Sequence, residues 1–386
     1  MEKHNSFCFF CLCFSYILGG VFYNIHGLNF VDELIVLLIF IYYIFFNRRQ
    51  TPADRYLKWV LGIAIFYLIY SLLIHVTNRE AVFRDFLQEC KPLISFFVIY
   101  ALKPVLTKKQ KKMLRFFALL FSGVSVILFV YGGEALFGHR AFYGHIMLIS
   151  ALLYLFASKR QKKNIIVFFV ILALGLFCTR SKYYGEFALA LMLVFVLKPP
   201  IRFNIKYLFL GTITILVVVF AAWEKFSVYF VQGLDDDSIA RNMLYVRSID
   251  VMKDYFPFGS GFGSYGVDAS RVYYSPLYYK YGLSNIYGMT EDYNEFIADT
   301  YFPAIIAQFG LLGIFLFFKF VEFVIKRAGE AYTPYNRILY AIIILIISSI
   351  LIESVAGPMF VMTTGVPILI LLAYCLCDIE KIKTST

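Results

Sequence analysis

Four arginines and a lysine stand at polar breaks in an otherwise apolar chain, and their chemistry suits an anionic substrate. Arg241 and Arg247 lie in Arg241-Asn-Met-Leu-Tyr-Val-Arg247, Arg180 and Lys182 in Thr179-Arg180-Ser181-Lys182, and Arg271 follows the run Pro257-Phe-Gly259-Ser-Gly261-Phe-Gly263. A guanidinium presents a planar fork of donors that grips phosphate through charge-assisted hydrogen bonds, and two on one helix could hold a diphosphate. The plainer reading of that pair is a solvated helix with local ion pairs. Further on, Glu291, Asp292, Glu295 and Asp299 end where the chain turns apolar again. A partly desolvated carboxylate at such a border can act as general base towards a hydroxyl, which fits Asp299, or Glu295 one helical turn earlier. Glu291 and Asp292 read as solvated charge. Tyrosine joins a flat apolar ring to a polar tip, so Tyr245, Tyr273 and Tyr274 suit either a sugar ring or the membrane interface.

Most of these residues share one polar segment, Glu224 to Thr300, which holds eleven tyrosines. Asp235, Asp236, Asp237 and Ser238 form a helix start, with a capping side chain and negative charge at the positive end of the dipole. A helix is therefore expected over about 239–255, stopped by Pro257 and the glycines after it. At 100° per residue, Arg247, Asp250 and Asp254 share one face and Arg241, Tyr245 and Ser248 another. Gly261-Phe-Gly263-Ser-Tyr-Gly266 has dinucleotide-binding spacing but follows a helix instead of a strand. It is expected to be a tight turn that brings backbone close to the bilayer or to a ligand. The aspartate triplet lacks the further spaced oxygens of a calcium loop. Elsewhere, Glu186 is expected to pair with Arg180 or Lys182, because a lone carboxylate at membrane depth is costly. His139, Arg140 and His145 mark another outer turn, where histidine could titrate, bind a hydroxyl or serve structure alone.

The frame that must position them is a membrane bundle. Apolar residues make up 61% of the chain, with 43 phenylalanines and a mean hydropathy of +0.74, against roughly 45–50% apolar in soluble domains. Apolar runs near 7–23, 30–46, 57–75, 92–106, 114–131, 142–157, 165–179, 183–197, 207–223, 302–325, 338–352 and 359–377 approach the roughly 17–25 residues that cross a bilayer. The expected fold is an all-α polytopic membrane protein of about twelve transmembrane helices with one large, partly helical extracytoplasmic loop. It divides into a bundle of about nine spans (1–223), the loop (224–301) and about three further spans (302–386). Loops 47–58, 103–115, 158–164, 198–206 and 326–337 are rich in Lys and Arg, which accumulate on the cytoplasmic side. Both termini are then cytoplasmic, and the net charge of +11 records topology and no nucleic-acid partner. The start of the chain lacks signal-peptide features, so its first apolar run reads as a retained helix. Cys8-x-x-Cys11 has no second pair or histidine to complete a metal site.

In order and spacing, Arg241, Tyr245, Arg247, Asp254, Pro257, Gly259 and Gly261 resemble the O-antigen ligase and polymerase superfamily, bacterial membrane glycosyltransferases acting on lipid-linked glycans. Asp299-Thr-Tyr301 and Phe309-Gly310-Leu-Leu-Gly313 are similar to the family's entry into the next span, and Arg180-Ser181 to its outer Ser-Arg element. The motif-level resemblance covers about 180 to 313. It implies a bacterial inner-membrane enzyme that binds the diphosphate of an undecaprenyl-diphosphate-linked glycan through Arg180, Arg241 and Arg247, with Lys182 and Arg271 in support. A chain-length regulator and a flippase would be further partners. Because a diphosphate already activates the sugar, neither a nucleotide cofactor nor a metal is expected. The ligases carry a catalytic histidine where Asp299 stands, which shifts the expectation from ligase towards polymerase of O-antigen or capsular repeat units. The alternatives are the ligase itself, which transfers glycan to lipid A core, and a polysaccharide flippase or transporter. A transporter would be expected to show internal repeats and polar groups at the bilayer midplane; here the charges gather at the outer border.

Overall fold

Short polar signals set the helix ends. Thr51 starts a helix with Pro52 as its first residue and donates its amide to Asp54, and Thr107 and Gln110 form a capping box. The computed structural model describes residues 2–22, 30–47, 51–159, 161–196 and 240–385. Within them the chain forms fourteen α-helices and no strand. The proposed helix start at 235–238, the run at 207–223 and the cations Arg48, Arg49, Arg160, Lys198, Arg202 and Lys206 lie outside the described residues.

Six described helices are long and apolar enough to cross a membrane: His4–Val21, Pro52–Ile74, Lys108–Glu134, Arg140–Ala157, Phe302–Glu330 and Pro334–Ser354. The first follows α1 (Glu2–Tyr16) into the π-turn Ile17–Val21; the others fall on α3 (Pro52–Ile74), α5 (Lys108–Phe137), α6 (Arg140–Ala157), α12 (Phe302–Glu330) and α13 (Arg337–Ser354). Other apolar runs form shorter helices: α2 (Val31–Phe46), α7 (Lys162–Leu174) and α8 (Ser181–Leu191). The run at 92–106 belongs to a longer helix, α4 (Arg79–Leu102), whose first half buries Asp85, Glu89 and Lys91. Lys91 there meets Asp32 at 2.5 Å and Glu33 at 2.7 Å on α2. The last helix, α14 (Gly365–Ser385), lies at the centre, packed on α4, α13, α1 and α6, with Ile368 to Leu376 fully enclosed.

Two ends of the bundle differ chemically. At one, Lys103 reaches Glu380 at 3.6 Å, Lys111 reaches Asp378 at 3.1 Å, and Lys383 donates to the Glu330 carbonyl at 2.6 Å. This end gathers described residues of the basic loops 103–115 and 326–337 and the end of α14. The other carries the polar segment, which folds on α9 (Ala240–Asp254), α10 (Asp268–Val272) and α11 (Pro276–Lys280). The helix α9 occupies the stretch where one was expected, and it packs on α12. Asp254 is a tie between elements and not a partner of Arg247: it accepts from Lys280 at 2.8 Å and Tyr281 at 2.6 Å, which hold its carboxyl below the usual range.

The glycine-rich turn approaches protein with its amides. The amide of Gly261 donates to the Gln308 carbonyl (2.8 Å), that of Phe262 to Ser71 Oγ (2.8 Å) and that of Gly263 to Asp85 Oδ2 (2.7 Å). The turn fits into a break in α12 at Gly310, where φ is 56° and ψ −151°. There the Leu311 amide bonds the Pro257 carbonyl at 3.1 Å. A Cβ at Gly310 would lie 2.3 Å from that same carbonyl oxygen, in a region of backbone space nearly closed to other residues. Gly310→Ala is therefore expected to lower the thermal midpoint of the detergent-solubilised protein, with a loss of about 2–4 kcal/mol. An unchanged midpoint would contradict this account of the break.

Candidate functional site

The end of α13 and the residues after it, 353–356, form a hub on which three distant stretches meet. The Tyr301 amide donates to the Ser354 carbonyl at 3.1 Å, which fixes the chain just past Asp299. Tyr245 of α9 donates its hydroxyl to the Val355 carbonyl at 2.8 Å, and burial pushes that phenol up to about 12, so it remains a donor. Lys182 of α8 bonds Glu353 and, at 2.7 Å, the Ala356 carbonyl. Arg241, one turn before Tyr245, reaches Asp299 at 3.1 Å. Arg180, which precedes α8, contacts the His139 ring ahead of α6. Both Asp299 and Lys182 lie within electrostatic reach of that ring.

Magnitudes separate the two ion pairs. Arg241 and Asp299 have side chains 25% and 45% exposed, and such a pair contributes roughly 0–1 kcal/mol, so an incoming anion displaces it readily. Glu353 is 4% exposed and also faces His145 at 3.4 Å. Breaking a buried pair costs about 3–5 kcal/mol, so Lys182 stays with Glu353 and acts on the site through its charge and the shape of the hub. Glu186 pairs with neither Arg180 nor Lys182. It is buried one turn along the same face of α8 as Lys182, near Ser349 and Glu353 of α13, and Lys182 is taken by Glu353.

Other sequence candidates lie apart from the hub. Arg247 is turned roughly 240° around α9 from Arg241 and pairs with Asp250 at 3.3 Å. Arg271 is held by Asp268 at 2.7 Å, an acid that also takes Arg84 at 2.6 Å. Tyr274 donates to the Met289 carbonyl at 2.7 Å, within the small core beneath the polar segment, and Tyr273 is half-exposed beside it. Fully buried Tyr265 and Tyr278 fill that core, which accounts for part of the tyrosine richness. Glu295 is exposed in an irregular turn and not one helical turn from Asp299.

Below Tyr301 a cleft of about 420 Å³ opens between α3, α4 and α12. Its walls are apolar, with Trp59, Ile63, Leu93, Phe309, Leu316 and Phe320 among them. At its polar margin the Tyr301 hydroxyl donates to Glu89 at 2.7 Å. The pairings of Glu89 with Tyr301 and of Glu353 with Lys182 were not visible in the sequence, since the partners lie 212 and 171 residues apart.

The fold and hydropathy define an all-helical, multi-pass membrane protein with a charged cluster at one end. No protein-family model matches the chain, and no curated protein does. The functional reading therefore rests on the residues themselves.

Proposed function

We propose that the chain is a polysaccharide polymerase, a metal-independent membrane glycosyltransferase that joins undecaprenyl-diphosphate-linked repeat units into O-antigen or capsular polymer. It would work at the outer face of a bacterial cytoplasmic membrane, with about twelve spans and both termini inside. The observation that carries this reading is the meeting of Arg241 with Asp299 and of Tyr245, Lys182 and Tyr301 with residues 353–356, with Arg180 beside a His139 ring that lies within electrostatic reach of Asp299. The order of motifs around Arg241, Pro257 and Gly261 favours the same class.

In this reading the diphosphate of the growing chain enters between Arg180 and Arg241 and takes Arg241 from Asp299. Charge-assisted hydrogen bonds to phosphate are worth about 1.5–3 kcal/mol each, more than the exposed pair they replace. The exchange frees the Asp299 carboxylate as it loads the substrate. A hydroxyl oxygen of the incoming repeat then forms a bond to the sugar C1 as the C1–O bond to diphosphate breaks. The electron pair leaves with the diphosphate, stabilised by the guanidiniums, and the hydroxyl proton passes to Asp299. Attack opposite the leaving group inverts the anomeric centre.

The cleft beside Tyr301 supports a substrate with a long apolar tail, because it begins two residues from Asp299 and runs along α12. Narrowing it from both sides with Ile63→Trp and Leu316→Trp is expected to raise KM for a lipid-linked repeat about tenfold while kcat changes little. An unchanged KM would remove the cleft from the binding site. The reading as a whole is tested by the glycan of a deletion strain. Single-repeat products support it, whereas full loss of surface glycan points to a flippase and unattached polymer to a ligase.

A further inference from the structure

The pairing of charges at the hub leaves one cation out. Arg140 is matched by Glu134 at 3.0 Å, Arg241 by Asp299 at 3.1 Å and Lys182 by Glu353. Among the described residues Arg180 has no carboxylate. Its terminal nitrogen instead meets the His139 ring, and its Nε is buried without a hydrogen-bond partner.

The ring's own bonding fixes what Arg180 meets. His139 is the N-cap of α6, and its Nδ1 accepts the Ala141 amide at 3.2 Å. A ring that accepts at Nδ1 and is neutral carries its proton on Nε2. Partial burial and the adjacent guanidinium hold the imidazole below its ordinary range, which keeps it neutral. In that tautomer Nε2–H lies beside the Arg180 guanidinium, whose same terminal nitrogen is 3.3 Å from Nδ1. Two neighbouring donors, with the buried Arg180 Nε beside them, suit an anion that accepts from both.

We propose that Nε2–H of His139 and the guanidinium of Arg180 together bind one phosphate of a diphosphate ligand, with His139 as a neutral hydrogen-bond donor and not as a proton acceptor. This rests on the proposed function for the identity of the ligand and names a binding residue for it. In that assignment the cap fixes the histidine tautomer, the tautomer presents a donor, and Asp299 remains the group that takes the proton.

Two isosteres separate the roles. Asparagine places an acceptor where Nδ1 sits and keeps the cap, whereas glutamine places an amide N–H near the position of Nε2. Binding of inorganic pyrophosphate and of geranylgeranyl diphosphate to the purified full-length protein in detergent would be measured by titration calorimetry. His139→Asn and Arg180→Gln are each expected to weaken both ligands roughly tenfold or more, and His139→Gln to bind several-fold more tightly than His139→Asn. Arg140→Ala, which removes a nearby cation already matched by Glu134, is expected to do less than Arg180→Gln. Prenyl diphosphate bound more tightly than pyrophosphate would assign the site to a lipid headgroup, and equal binding to a soluble phosphate compound; either supports the site. Wild-type affinity in folded His139→Asn would reduce His139 to a helix cap and overturn the proposal, as would wild-type affinity in Arg180→Gln or no binding by the wild type. Asn and Gln variants that both bind normally but both lose turnover would make His139 the base and overturn it equally. Intact diphosphate binding by a protein that extends no glycan would leave this site standing and remove the polymerase reading.

Discussion

Arg241→Ala protein, present in the membrane at the wild-type level, is expected to extend glycan roughly a hundred- to a thousandfold more slowly, the usual loss when a preorganised donor to a developing anion is removed. Arg241 is the cation whose partner is easiest to displace, because the Asp299 pair is partly exposed and worth little by itself. Arg247→Ala makes the informative contrast. Arg247 faces Asp250 on another side of α9, and an exposed pair of that kind contributes about 0.3–0.5 kcal/mol, so normal or slightly shortened polymer is expected. The readout is glycan length on gels together with the rate of repeat addition. Equal losses in the two variants would mean that the helix as a whole matters and not the guanidinium at the hub.

Asp299→Asn is expected to lower kcat roughly 10²–10⁴-fold, the range for loss of a positioned general base. KM for the lipid-linked donor should stay level or fall, because Arg241 no longer has a carboxylate to release before it takes phosphate. A purely structural role for the pair would not produce that split. Glu295→Gln, altered in an exposed turn away from the hub, is expected to leave kcat nearly unchanged. A fully active Asp299→Asn enzyme would assign proton removal to another group.

How much of this was legible depended on whether the cause was local. The helix α9 was readable from Pro257 and its glycines, and its two arginine faces from the 100° step, which already set Arg241 apart from Arg247. The all-helical class followed from apolar run lengths. The hub was not readable, because it is made by backbone carbonyls at 354–356 and by Glu353 and Lys182, 171 residues apart. Nothing local marks a carbonyl at the end of an apolar helix as a tie point. The glycine segment was read as a tight turn approaching the bilayer or a ligand, whereas it packs on the break at Gly310 and the side chains of Ser71 and Asp85. Tyrosines such as Tyr265 and Tyr278 were indistinguishable in sequence from exposed ones, since burial there depends on how α9, α10 and α11 close over them. His139 was visible only as one histidine in a basic turn; its meaning comes from Arg180, 41 residues on.

In the proposed mechanism Arg180 and Arg241, from separate stretches, act with Asp299 on a lipid-linked diphosphate. Its most direct test is incubation of the purified protein with a synthetic undecaprenyl-diphosphate-linked repeat unit, with products followed by mass spectrometry. The wild type should yield a ladder of whole-repeat multiples and one free undecaprenyl diphosphate per bond formed, and Arg180→Ala, Arg241→Ala and Asp299→Asn should yield almost none. A ladder of equal length and rate from all three variants, or none from a folded wild type, would contradict the account.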